Sequence, residues 1–362
     1  MKRRQFLTAA GAGLAATALA KPAIAQSSPA LKWRLTSSYP KSLDTLYGGA
    51  EVFAKAVAEA TDNKFQIQVS ASGEIVPGLQ ALDAVQSGNV EMGHTASYYY
   101  VGKDPTFAFG TAVPFGLNAR MQNAWMFFGG GMDLMNALYN KYNIHGIPCG
   151  NTGCQMGGWF RKEIKEPADL QGLKMRIGGY AGLVMAKLGV VPQQFAGGDL
   201  YAALEKGAID AAEWAGPYDD ERLGLSKVAP YYYFPGWWEG GAMLHNFINL
   251  KSWEQLTPSY KSILRTASEM TNAWMLAKYD ASNPPALKRL LAQGTQMRPF
   301  PTAVMDTSLK AALEMYDEVS KSNPAFKAAW ESTLAFRNDQ YLWWQVAEYS
   351  YDNYLIRTRP RG

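Results

Sequence analysis

Arg176 stands in the stretch LKMRIGG (173–179), one residue before an isoleucine and two glycines. Strand alternation puts Leu173, Met175 and Ile177 on one face and Lys174, Arg176 and Gly178 on the other. Two readings fit: the solvated polar face of an edge strand, or a guanidinium held at a strand's carboxyl end for an anion. Three acceptors elsewhere bear on the choice. Glu213 closes the run AIDAAEW beside Trp214, and Glu239 sits between a Trp pair and a Gly pair. Gln155 shares one face with Asn151 and Gly153, by period two, in the extended-looking stretch GIPCGNTGCQMGGWF (146–160).

Carboxylates enclosed among Trp, Tyr and Gly need partners. Arg176 can supply one directly, as an internal Arg–Glu pair. In the alternative, every charge meets an outside group. Arg176 then forks onto a ligand carboxylate. Glu213, Glu239, the Gln155 side-chain oxygen and a backbone carbonyl form an all-oxygen set, suited to Na⁺ or Ca²⁺ rather than zinc. A small 2-oxo or 2-hydroxy acid would chelate such a cation through its carboxylate and its second oxygen. The residues alone leave both readings open.

The elements that position these groups read as α/β. LKWRLTSSYP (31–40) is a strand running into a loop, followed by a helix, the strand KFQIQVS (64–70), a helix, and the strand NVEMGHTAS. Such alternation implies a largely parallel sheet. VQSGNVEMGHT (85–95) aligns with LEKGAIDAAEW (204–214), a helix end, a capping glycine and a strand in each. The repeat implies two related lobes, with His94 and Thr95 matching Glu213 and Trp214 beyond strand carboxyl ends, where ligands of open sheets sit. The chain crosses near 146–160 and returns near 234–250, giving a clam-shell with a central cleft. A long helix beginning at TPSYKS should stop at NPP (283–285), and TQMRPFP (295–301) reads as a strand. The last helix spaces Leu334, Tyr341 and Leu355 on heptad multiples, with Trp344 and Tyr351 interleaved. That stripe packs on its own chain or on a partner subunit.

Residues 1–25 read as an export signal. Lys2, Arg3 and Arg4 precede an apolar run from Phe6 to Ala20, and Ala23-Ile24-Ala25 offers a cleavage site. RRQFL resembles a twin-arginine signal, with a Sec signal as the alternative; either sends the protein to the periplasm. These residues hold four of the 35 Lys and Arg and none of the 31 Asp and Glu, so the rest of the chain is balanced. Nucleic acid and anionic membrane are therefore poor partners, and membrane insertion is not expected. Cys149 and Cys154 lie about 17 Å apart on an extended strand, too far to bridge, so two reduced, buried thiols are expected. No G-x-G-x-x-G after the first strand, G-x-S-x-G, Walker A or H-E-x-x-H occurs. His94, His145 and His245 are scattered and read as structural. A periplasmic, metal-assisted enzyme on a keto or hydroxy acid remains the alternative to a binding protein, although no acid–base group stands out for it.

The stretch FRKEIKEPADLQGLKMRIGGYAGLVMAKLGVVPQQFAGGDLYAALEKGAIDAAEW resembles the signature of TRAP-transporter periplasmic solute-binding proteins. It carries their P-x-D-L-x-G-x-K-x-R-x strand from Pro167 to Ile177. The resemblance extends over the mature chain and is nearest to the metal-using subgroup that binds 2-oxo acids and lactate. It implies a type II-like two-lobe clam-shell, with no catalytic residues. Residues 26–150 and about 240–285 would form one lobe, about 151–239 and about 286–330 the other. Arg176 would bind the ligand carboxylate, with Gln155, Asn151, Tyr100 and Trp214 completing the pocket. Gln155, Glu213, Trp214 (through its backbone) and Glu239 would hold the cation, sodium ahead of calcium. The cargo would be a pyruvate- or 2-oxobutyrate-type monocarboxylate, with lactate or a dicarboxylate as alternatives, passed to a membrane permease. A C-terminal helix at about 331–358 would exchange between subunits of a homodimer.

Overall fold

A computed structural model describes residues 29–359; the expected export signal lies outside them. The strands, in chain order, are β1 Leu31–Ser37, β2 Phe65–Ser70, β3 Met92–Ala96, β4 Ile144–Asn151, β5 Gly158–Phe160, β6 Lys174–Arg176, β7 Val191–Gln193, β8 Ala211–Ala212, β9 Tyr231–Phe234, β10 Met243–Asn249 and β11 Gln296–Pro299. The helices are α1 Leu46–Ala60, α2 Ala81–Gln86, α3 Ala119–Phe128, α4 Gly131–Tyr139, α5 Gly179–Lys187, α6 Leu200–Glu205, α7 Pro217–Leu223, α8 Leu250–Glu254, α9 Pro258–Ala292, α10 Thr302–Ser322, α11 Pro324–Val346 and α12 Glu348–Thr358.

Two sheets organise the chain, in the orders β2-β1-β3-β10-β4 and β11-β9-β5-β8-β6-β7. Both are mixed: β10 runs antiparallel to β3 and β4, and β5 antiparallel to β8 and β9. The two-lobe α/β arrangement follows. The chain crosses between the sheets after Asn151, returns through residues 235–242, and crosses again along α9.

The short repeat is structural. After α2, the N–H groups of Asn89 and Val90 both donate to the Ala84 carbonyl; after α6, those of Ala208 and Ile209 both donate to that of Ala203. Gly88 and Gly207 take φ of +77° and +70°, the left-handed conformation this helix ending requires.

Three expectations need correction. The stretch 146–160 is not one continuous strand. The Asn151 side chain accepts from the Gly153 N–H at 2.9 Å, Gly153 has φ +71°, and the chain turns there. Helix α9 runs through Pro284 and Pro285 to Ala292. Tertiary contacts hold its last turns in line: Asn283 accepts from the Tyr218 N–H, Arg289 forks onto Glu221, and Ala286 and Leu290 are buried. The terminal helix starts at Pro324, capped by Asn323, and breaks at Ala347 (ψ −85°), so 331–358 is not one helix. Its first turns bury Phe326, Ala329 and Trp330. Beyond them, Leu342, Trp343, Val346, Tyr349, Tyr354 and Ile356 are each 60% exposed or more. Among the described residues no helix is long and apolar enough to cross a membrane.

Candidate functional site

Strand β6 is interior to its sheet, between β7 and β8; on its polar face Lys174 is exposed while Arg176 is buried. Met175 and Ile177 are buried as alternation requires, and Arg176 is only 1% exposed. Its Nη1 donates to a Glu213 carboxylate oxygen at 2.9 Å and to the Glu213 backbone carbonyl. Its Nε donates to the Phe195 carbonyl at 3.4 Å. No hydrogen bond from Nη2 forms among the described residues. The guanidinium lies 4.7 Å from the Trp214 ring centroid, which fixes its plane.

Backbone bonds bring the remaining groups to the same place. The Glu213 N–H donates to the Arg176 carbonyl (3.0 Å), the Gln155 N–H to the Glu239 carbonyl (3.2 Å), and the Met156 N–H to the Ala215 carbonyl (2.9 Å). Thus Arg176, Gln155, Glu213, Trp214 and Glu239 converge from β6, the two crossings and the end of β8. The internal Arg–Glu pair and the oxygen set are therefore parts of one site.

Gln155 donates through Nε2 to Thr152 Oγ1 (3.0 Å), which leaves its Oε1 without a donor. Glu213 Oε1 and both carboxylate oxygens of Glu239 are also buried without a hydrogen-bond donor; the Tyr98 hydroxyl approaches Glu239 without completing a bond. Four orphaned acceptors, all oxygen, fit a hard cation. No group of three His, Cys, Asp or Glu gathers among the described residues. The set consists of two carboxylates and an amide, as oxygen coordination by Na⁺ or Ca²⁺ allows. Burial pushes the Glu239 carboxyl up to about 8, against the pull of Arg176. Burial and the neighbouring Glu239 also hold Glu213 well above the carboxylate range.

Behind this layer lie two more carboxyls. Burial raises Asp219 to about 7, although Tyr279 donates to it at 2.6 Å. It raises Asp220 to about 6, although Tyr232 and Trp159 donate to it at 2.6 and 2.9 Å.

One small pocket in the cleft, of about 10 Å³, is lined by Tyr39, Tyr98, Tyr99, Thr152, Gln155 and Trp214 among others. The glycines after β6 now have a reason. A Cβ on Gly178 would press on the Tyr98 ring, and one on Gly179 (φ +62°) would collide with it. Asn151 is buried, with its Nδ2 lacking an acceptor. Tyr100 requires correction: its hydroxyl accepts from the Leu82 N–H (3.1 Å) and pairs with Thr95 (3.0 Å) within the first lobe's core. A 3-10 turn at Ser97–Tyr100 rotates Tyr98 and Tyr99 to the cleft instead. Tyr39 was findable, because it follows the carboxyl end of the parallel strand β1. Cys149 is buried as expected, but Cys154 is exposed; both are free. His94 is held within the fold, its Nε2–H donating to the Cys149 carbonyl at 3.0 Å, with burial lowering it to about 4. His145 stacks on Trp253 at 4.1 Å, and burial lowers His245 to about 3.

Comparisons with known proteins give the family. Residues 36–323 match the family described as bacterial extracellular solute-binding protein, family 7. The chain is 50% identical, over 98% of its length and 99% of the relative's, to a monocarboxylate 2-oxoacid-binding periplasmic protein of Nostoc sp.. A TRAP transporter solute-binding protein of Bordetella bronchiseptica superposes with a TM-score of 0.90 at 51% identity, covering 91% of this chain and 98% of that one. It is a mixed-occupancy dimer with copurified calcium and picolinate in one site. A TRAP periplasmic solute-binding protein of Pseudoalteromonas atlantica, with bound sodium and pyruvate, gives 0.87 at 37% identity, covering 91% and 99%. The chain belongs to the bacterial extracellular solute-binding proteins of family 7, the periplasmic binding components of TRAP transporters.

Proposed function

We propose that this protein captures a small 2-oxo monocarboxylate, of the pyruvate or 2-oxobutyrate type, together with a hard cation, and hands it to the membrane permease. The observation that carries this reading is the set of four buried acceptor oxygens without donors beside a buried guanidinium. Gln155, Glu213, Glu239 and the Trp214 backbone carbonyl would hold the cation. When bound, it supplies charge compensation for two carboxylates and an acceptor for two ligand oxygens. Sodium and calcium both suit the set.

Arg176 would take the ligand carboxylate with the nitrogen that Glu213 and Phe195 leave free. The Asn151 amide N–H would donate to a ligand oxygen, and Trp214 would wall the pocket. Because these groups come from both sheets, only closed lobes make every contact, so ligand binding favours closure. The lobes would divide at about 150/151, 239/240 and 285/286. The exposed aromatic face from Tyr341 to Ile356 supports a homodimer made by exchanging terminal helices.

The protein acts by binding, without turnover. Pyruvate with calcium or sodium should raise the melting temperature, while NMR of the same sample shows pyruvate unchanged. A product signal would put a metal-assisted enzyme in its place.

A further inference from the structure

A second polar cluster spans the two lobes away from the cation set, at the rim near α7. Asp44 lies in the loop between β1 and α1, on the first sheet's side; Tyr218 and Arg222 lie on α7, on the second's. Asp44 Oδ2 accepts from the Tyr218 hydroxyl at 3.1 Å and faces Arg222 Nη2 at 3.4 Å. Arg222 Nη1 donates to the Ser42 carbonyl of the same loop at 3.2 Å, and Nη2 to the Tyr218 hydroxyl at 2.6 Å. Lys278, on α9, donates to the Asp44 carbonyl at 2.8 Å and sits 3.1 Å from Oδ2.

We infer that Asp44 is an interlobe latch: Lys278 holds its loop in place, and α7 grips that loop through Arg222 and Tyr218, prolonging the closed state. The parts are pre-arranged. Arg222 and Tyr218 are one helical turn apart, with the guanidinium 4.4 Å from the ring centroid. The grip is also releasable. Each contact is partly solvated, Asp44 Oδ1 has no partner, and single exposed ion pairs are weak. Several donors on one carboxylate make a modest network, strong enough to lengthen closure and weak enough to open. No contact in it depends on what the cleft binds.

Single-molecule FRET tests the latch, with dyes at Lys55→Cys on α1 and Glu205→Cys on α6 in a Cys154→Ser background. Closed-state dwell times are recorded without ligand and with pyruvate plus calcium chloride. Asp44→Asn and Arg222→Gln should each shorten the closed dwell at least about threefold. The double variant should shorten it no further than the stronger single one, and the melting temperature of the ligand-free protein should stay within a degree or two. Unchanged dwell times in both single variants, additive effects, or a wild-type protein that never visits the closed distance would overturn the latch. Failure of pyruvate to lengthen closure in the wild type would count against the proposed cargo, while the ligand-free dwell times would still decide on Asp44.

Discussion

Arg176 and Glu213 face each other at 2.9 Å with side-chain exposures of 1% and 0%. Neighbouring residues on paired strand ends thus carry a buried ion pair whose acid keeps one oxygen free of donors. A buried pair contributes little stability beyond an apolar substitute, but removing one partner strands the other's charge. Here burial holds the second carboxyl, Glu239, up to about 8, so the cation-free site keeps a proton that a bound cation would replace.

Arg176→Ala should therefore abolish carboxylate binding and lower stability by about 3–5 kcal/mol. Adding Glu213→Gln should recover most of the stability and none of the binding. Denaturant unfolding and calorimetric titration of the single and double variants check both halves. Binding retained within a few-fold would make the arginine purely structural.

Glu239→Gln acts in the opposite sense on the cation-free protein. Its carboxyl is raised to about 8 by burial, so a neutral amide should leave the ligand-free protein at least as stable. The extra stability given by calcium or sodium should fall by about 1.4 kcal/mol or more, a tenfold loss in affinity. Thermal melts with and without each ion measure this.

The same groups set a pH dependence. A carboxyl raised in the fold holds a proton that the unfolded chain has already lost, so stability is full near pH 4 and declines as pH rises. Asp219 near 7 and Glu239 near 8 place the decline between about pH 5 and 8. Cation-free protein should melt lower at pH 8 than at pH 5, and added cation should recover most of the difference. A melting temperature that rises across this window without cation would contradict the assignment.

Truncation after Asp339 keeps the Arg337 contact to the Phe115 carbonyl and removes the exposed residues 341–356. It should give monomers by light scattering. A dimer that survives would place the subunit interface elsewhere.

Much of this was legible from residue types and spacing. Alternation in LKMRIGG put Arg176 opposite the core face, and glycine-punctuated helix–strand units exposed the internal repeat. Glu213, Glu239 and Gln155 stood out as acids or amides ringed by Trp and Gly. Local pattern did not carry the rest. Three consecutive tyrosines offered no signal for which faced the cleft, because a single 3-10 turn at 97–100 decides it. The prolines at 284 and 285 signalled a helix end, yet contacts from α7 overrode them. The reach of Arg222 to Asp44 joins residues 178 positions apart and left no local trace.

The central claim is a cation-dependent site for a 2-oxo monocarboxylate. Its most direct test is calorimetric titration of unfolded and refolded, cation-stripped protein with pyruvate, 2-oxobutyrate, lactate and succinate, each with no added ion, with sodium or with calcium. The account predicts tight binding of the 2-oxo monocarboxylates only when cation is present, with weaker binding of lactate and succinate. Equal affinity for pyruvate with and without cation, or a preference for succinate, would contradict it.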